Sequence, residues 1–214
     1  MDTGKSEGLQ AIAGCLTAED WRKLRAELHA SDRTSPWDRA YRDYYRQRLD
    51  LRYLEPIRTL QENGSYQGEG FSIVSIQCAL IEFLAATHNG CAYRFLTRGE
   101  ILGPHEYSSS RQLFVDFLQQ VPPFSSVFTT PAIATEFYGS VRCGLLHEAT
   151  TKNGWRIHAS GPAAIDAAKK IVFRNQFQTL MLAYIEDFGA RLLNDKDLQE
   201  AFLRKFDRLA DDAA

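Results

Sequence analysis

Residues 71–88, FSIVSIQCALIEFLAATH, are the most apolar run of the chain and constrain its fold more than any other segment. The run is too long for an ordinary strand, so it predicts a buried central helix. Glu82 is its only charged side chain. That carboxylate interrupts the longest apolar stretch, CALIEFLAA, and no membrane span is expected.

A buried helix needs helices around it, and the flanking sequence supplies them. TAEDWRKLRAELHA predicts a short helix with Thr17 as N-cap and Asp20 in its first turn. A turn-rich break is expected over 31–37, then a long amphipathic helix from Trp37 to about Gln61 carrying Tyr41, Tyr44, Tyr45, Leu51, Leu54 and Ile57. Pro56 is expected to kink or divide it. A helix over about 109–120 should stop at Pro122 and Pro123, and Pro131 suits the first turn of the next. Asn153-Gly154, within TKNGWRIHAS, predicts a hairpin over 151–160. Residues 162–193 read as one long helix and 196–209 as a terminal one. The expected fold class is all-α, an up-and-down helical bundle with one small β-hairpin. Residues 1–40 would form an N-terminal helical extension, 41–195 the bundle, and 196–214 a C-terminal helix and tail.

Cys15, Cys78, Cys91 and Cys143 form no CxxC pair and no Cys/His cluster, so neither a metal nor another cofactor is expected. Free thiols and the lack of a basic-then-apolar start in residues 1–20 point to the cytoplasm. A net charge of −2 argues against a general polyanion binder. Of 18 Arg, nine lie between Arg22 and Arg58, but six acids share that window and Glu19 and Asp20 adjoin it. A salt-bridged helix surface accounts for them.

The segment EFYGSVRCGLLHEATTKNG (136–154) places Arg142 and His147, with four residues between them, within an apolar helix. Arg-x(4–6)-His spacing is common by chance, and Arg98 to His105 also satisfies it across helix-breaking Gly99, Gly103 and Pro104. Context must therefore decide. On a wheel of about 100° per residue, Ile133, Ala134, Phe137, Val141 and Leu145 form one apolar stripe. Gly139, Cys143 and Leu146 form a narrower opposite face, with Arg142 and His147 flanking it about 140° apart. Gly and Cys there permit close approach of a second helix. If that helix is a second copy, a two-fold interface gathers two arginines and two histidines in one cleft. Imidazole can take the proton of a ribose 2′-hydroxyl, and guanidinium can hold the phosphate it attacks. The plainer alternative pairs Arg142 with Glu148 or Glu82 and leaves His147 to cap or pack.

VRCGLLHEA at a helix end in an all-α chain of this size resembles the signature of the HEPN superfamily. The resemblance covers about residues 41–193, and residues 138–148 carry it. It implies a HEPN-like helical bundle and a metal-independent endoribonuclease of defence or toxin systems, with an active site composed across a homodimer. Arg142 and His147 would be the catalytic pair. The position after the arginine, often Asn, Asp or His in active members, is Cys143 here. That departure keeps a second reading open: a non-catalytic interaction module serving a regulatory or antitoxin-associated partner.

Glu82 is a candidate for orienting Arg142 or bordering its cleft, on a stripe with Ser72, Ser75, Ala79 and Ala86. Tyr138, one turn before Arg142, is a candidate for stacking on a substrate base. His105 opens a helix among serines, a place explained by capping. His29, His88 and His158 read as surface residues, and Trp155 as the hairpin's anchor.

Overall fold

The computed structural model describes residues 11–30, 34–64 and 68–213. Seven helices among them carry the fold: α1 (Ala18–Ala30), α2 (34–63), α3 (Glu69–Asn89), α4 (Ser110–Gln120), α5 (131–148), α6 (Arg174–Leu192) and α7 (Lys196–Asp211). Local chemistry accounts for their starts. Thr17 and Asp20 exchange bonds across the first turn of α1, the Thr17 N–H to Asp20 Oδ2 at 2.9 Å and the Asp20 N–H back to Thr17 Oγ1. Thr130 caps α5 ahead of Pro131, and Asp195 caps α7 by accepting from the Leu198 N–H. Gly90, at φ +64°, ends α3, with the Cys91 N–H closing back onto the Ala86 carbonyl.

α3 is the central helix. It packs against α2, α4, α5, α6 and α7, and its Ile73, Val74, Leu80, Ile81 and Leu84 are fully buried. Its length and apolar composition also match a membrane span, despite Glu82. In this fold it is the core of the bundle. Around it lies an aromatic core in which Tyr45 stacks on Phe188 at 4.6 Å and Phe202 on Phe206 at 4.4 Å. Trp21 of α1 packs on Tyr44, Phe202 and Phe206, tying the N-terminal helix to α7.

Helix α2 runs unbroken from 34 to 63, across the 40/41 position that the sequence suggests as a boundary. The turn expected over 31–37 gives way to helix from Thr34; residues 31–33 lie outside the described residues. Pro56 does not divide it. A π turn over Asp50–Leu54 immediately precedes the proline, and this wider turn takes up the missing N–H bond. The arginine-rich window is largely an ion-paired surface: Arg25 meets Asp207, Arg39 Glu27, Arg42 Asp38 and Arg46 Asp50.

Three expectations need correction. Residues 162–173 are not helix but hold β4 (Ile165–Asp166) and β5 (Ile171–Phe173). The Ala- and Lys-rich segment favours a helix locally, but Ile165, Val172 and Phe173 bury themselves on the bundle as a sheet. There is no hairpin over 151–160: β3 (Arg156–His158) pairs in parallel with β5, and β4 pairs antiparallel with β5. Asn153-Gly154 does turn the chain, both residues at positive φ, with the Trp155 N–H reaching the Lys152 carbonyl. The residues before it, however, fold back on α5. A parallel pair of β1 (Ala92–Tyr93) and β2 (Glu106–Tyr107) was also unforeseen, so the fold is mainly helical rather than all-α.

Candidate functional site

Helix α5 is anchored as its pattern requires. Ala134, Phe137, Val141 and Leu145 are buried and Ile133 is half-buried, the expected apolar stripe. The helix is not uniform, because residues Tyr138–Arg142 form a π turn closed by the Cys143 N–H on the Tyr138 carbonyl. Side chains beyond a π turn leave the 100° wheel. Arg142 accordingly turns onto α3, its side chain 18% exposed, whereas His147 and Gly139 face solvent. Leu146 is 61% exposed, and Cys143 is half-buried.

A return loop locks this geometry. The Lys152 N–H donates to the Ser140 carbonyl at 2.8 Å, and Asn153 Nδ2 donates to Ser140 Oγ at 2.8 Å. Gly144 lets the loop pass, since a Cβ there would stand 2.5 Å from the Thr150 carbonyl oxygen. Trp155 packs edge-on against Phe137 beneath it.

Arg142 Nη2 donates to Glu82 Oε2 at 2.8 Å, and its guanidinium lies 5.4 Å from the Tyr138 ring centroid. Tyr138 shares a hydrogen bond with Ser110 Oγ at 3.0 Å. Tyr107 OH reaches Glu82 Oε1 at 3.5 Å, the long limit for such a bond. Burial works against the Arg142 charge, but the hydrogen bond and charge of Glu82 outweigh it, holding the guanidinium above its ordinary range. Burial likewise raises the hydroxyls of Tyr107 and Tyr138.

Arg142 and Glu82 form the partition between two clefts. One, about 280 Å³, is lined by Tyr53, Phe83, Tyr107, Leu146 and Lys205 and by the Ser75, Ala79 and Ala86 stripe of α3. The other, about 440 Å³, opens between Tyr93, Ser108–Ser110 and Tyr138. His147 lines neither cleft, and no hydrogen bond or ion pair joins its side chain to another described residue. The chain thus brings Arg142, Glu82 and Tyr138 together and leaves His147 apart on the open face. Glu148, the other acid considered for Arg142, pairs with Lys152 at 3.4 Å.

His88 is not a surface residue: it is half-buried, paired with Tyr184 OH at 3.1 Å, and burial lowers its pKa. His105 and His158 are exposed, and the His29 side chain lies outside the described residues. Among the described residues, no three His, Cys, Asp or Glu side chains gather as metal ligands would.

Lys205 escaped the sequence reading. The signal was present, because it falls on the buried stripe of α7 with Leu198, Ala201 and Phe202. It is 8% exposed, and its Nζ donates to the Cys91 carbonyl at 3.1 Å. Burial, helped by the charge of Arg48, pushes its amine down to about 8. No family model, curated protein or solved structure matches the chain.

Proposed function

We propose that the chain is a metal-independent endoribonuclease with a HEPN-like bundle, acting as a homodimer. The observation that carries this reading is the state of its two motif residues. Arg142 is pre-oriented by Glu82 and Tyr138 at the edge of two clefts, and His147, the next turn along, is exposed and unengaged.

In the proposed reaction, neutral His147 removes the proton from a ribose 2′-hydroxyl. The oxygen attacks the adjacent phosphorus, the bond to the 5′-oxygen breaks, and an imidazolium returns a proton to that leaving oxygen. The products are a 2′,3′-cyclic phosphate and a 5′-hydroxyl. Arg142 binds the non-bridging oxygens as their charge develops, with donors beyond the one it spends on Glu82. His147 of one chain stands outside the cleft beside its own Arg142, so a second copy supplies the complement. The proposed seam runs along Gly139 and Leu146, a reading that their exposure supports.

One observation favours the non-catalytic alternative: Glu82 already matches the charge of Arg142 within the chain. RNA incubated with purified protein in excess EDTA separates the two. Cleavage that ends in cyclic phosphate and is lost in both Arg142→Ala and His147→Ala supports the nuclease. Absence of cleavage, or cleavage unchanged in both variants, removes it and leaves the interaction module.

A further inference from the structure

The cleft on the α7 side of Arg142 holds a cation that no carboxylate among the described residues neutralises directly. Lys205 is buried, has no carboxylate partner among the described residues, and makes a single hydrogen bond to the Cys91 carbonyl. Its Nζ lies 5.6 Å from the centroid of Phe83, and the Arg48 guanidinium lies 5.4 Å from the same centroid. Arg48 too has no acid partner among the described residues; it donates to the Ile12 carbonyl. Burying an ammonium without a counter-ion costs stability, and an apolar side chain of the same length would fit this site at less cost. A ligand that brings a negative charge would recover that cost.

The rest of the lining narrows the ligand. Tyr53, Phe83 and Tyr107 present aromatic surface, and Leu146 closes one side. Planar bodies stack on such walls, as bases do in single-stranded nucleic-acid sites. Arg142, Lys205 and Glu82 together leave the cleft with one net positive charge. At about 280 Å³ it sits at the small end of the roughly 300–1,000 Å³ typical of ligand pockets, room for a single nucleotide.

We propose that this cleft binds one unpaired nucleotide of the RNA, its base against the Tyr53–Phe83–Tyr107 wall and its phosphate on Lys205, beside the phosphate held by Arg142. The inference rests on the nuclease reading for its choice of nucleotide. It goes beyond that reading in assigning a base subsite and a second phosphate contact, and hence a preference for single-stranded substrate.

Calorimetric titration of the full chain with 3′-nucleoside monophosphates tests it, with nucleosides, inorganic phosphate and octanoate as separate arms. Wild type is expected to bind the nucleotides more tightly than nucleoside or phosphate alone. Lys205→Met should weaken nucleotide binding about tenfold or more, as loss of a charged hydrogen bond does, and leave the unfolding midpoint equal or higher. Tyr53→Leu should weaken nucleotide and nucleoside together. No nucleotide binding at millimolar concentration, binding of phosphate as tight as that of nucleotide, or octanoate binding without nucleotide binding overturns the subsite. So does a Lys205→Met protein that unfolds earlier yet keeps its affinity, since Lys205 would then be structural. Nucleotide binding without RNA cleavage supports the subsite and overturns only the nuclease, so the two failures are distinct.

Discussion

Arg142 Nη2 and Glu82 Oε2 meet at 2.8 Å across 60 residues of sequence, joining the motif helix to the central helix. Their side chains are 18% and 21% exposed, shielded enough for the pair to matter to stability. Glu82→Gln or Arg142→Met alone strands a partly buried charge and should cost about 1–3 kcal/mol. The double variant should cost less than the sum, with a coupling of at least about 1 kcal/mol in a urea-unfolding cycle. Additive losses would mean that the two groups do not interact in solution.

Gly139 and Gly144, on the same helix, should respond oppositely to alanine. A methyl at Gly144 meets the Thr150 carbonyl at 2.5 Å, so Gly144→Ala should destabilise by about 1–3 kcal/mol as the return loop shifts. Nothing lies within 4 Å of a methyl at Gly139, and a helical alanine there should stabilise the monomer by about 0.5–1 kcal/mol. If two chains meet on this face, Gly139→Ala should also weaken their association, read as dimer mass by light scattering. A dimer untouched by that change and by Leu146→Arg would place the seam elsewhere.

Lys205 makes stability depend on alkaline pH. Its folded-state amine titrates at about 8, against an ordinary value of 10.5, so the unfolded chain binds more protons between those limits. Stability therefore rises with pH from about 8 to 10.5, by about 3 kcal/mol at most. Arg48 reinforces the shift, and Glu82, Cys91 and Asp212 oppose it. Tyr44, pushed up to about 12 by burial, works the other way above pH 10. The informative quantity is wild type minus Lys205→Met, and unfolding midpoints should converge as pH rises. A constant difference contradicts the buried ammonium.

Much of this was legible where period and capping agree. The central helix, the Thr17 start, the Pro131 start and the buried stripe of α5 all follow from residues whose local preference matches their tertiary use. The errors arise where these diverge. PAAIDAAKK favours a helix by propensity, yet Ile165 and the Ile171–Phe173 strand are held in a sheet by burial. The π turn at Tyr138–Arg142 has no sequence signature, so a uniform wheel sets Arg142 at the border of the Gly139, Cys143 and Leu146 face rather than against α3. Glu82 stands out as a candidate partner of Arg142 because it is the only acid of the apolar run 71–88. Lys205 was overlooked although a lysine on an apolar stripe is the same kind of signal.

His147 should be dispensable for the fold. It is exposed and its side chain makes no hydrogen bond or ion pair to another described residue, so His147→Ala should change stability by no more than about 0.5 kcal/mol. A larger loss by chemical unfolding would assign it a structural role.

The composite site is tested most directly by mixing inactive variants. Arg142→Ala and His147→Ala proteins are each assayed on RNA in excess EDTA, then unfolded together, refolded and assayed again. If each site draws its arginine from one chain and its histidine from the other, half the dimers are mixed and each holds one intact site. The mixture should recover about a quarter of wild-type cleavage, where either variant alone has none. A mixture as inactive as its components, from a wild type that does cleave, would contradict a site shared between two chains.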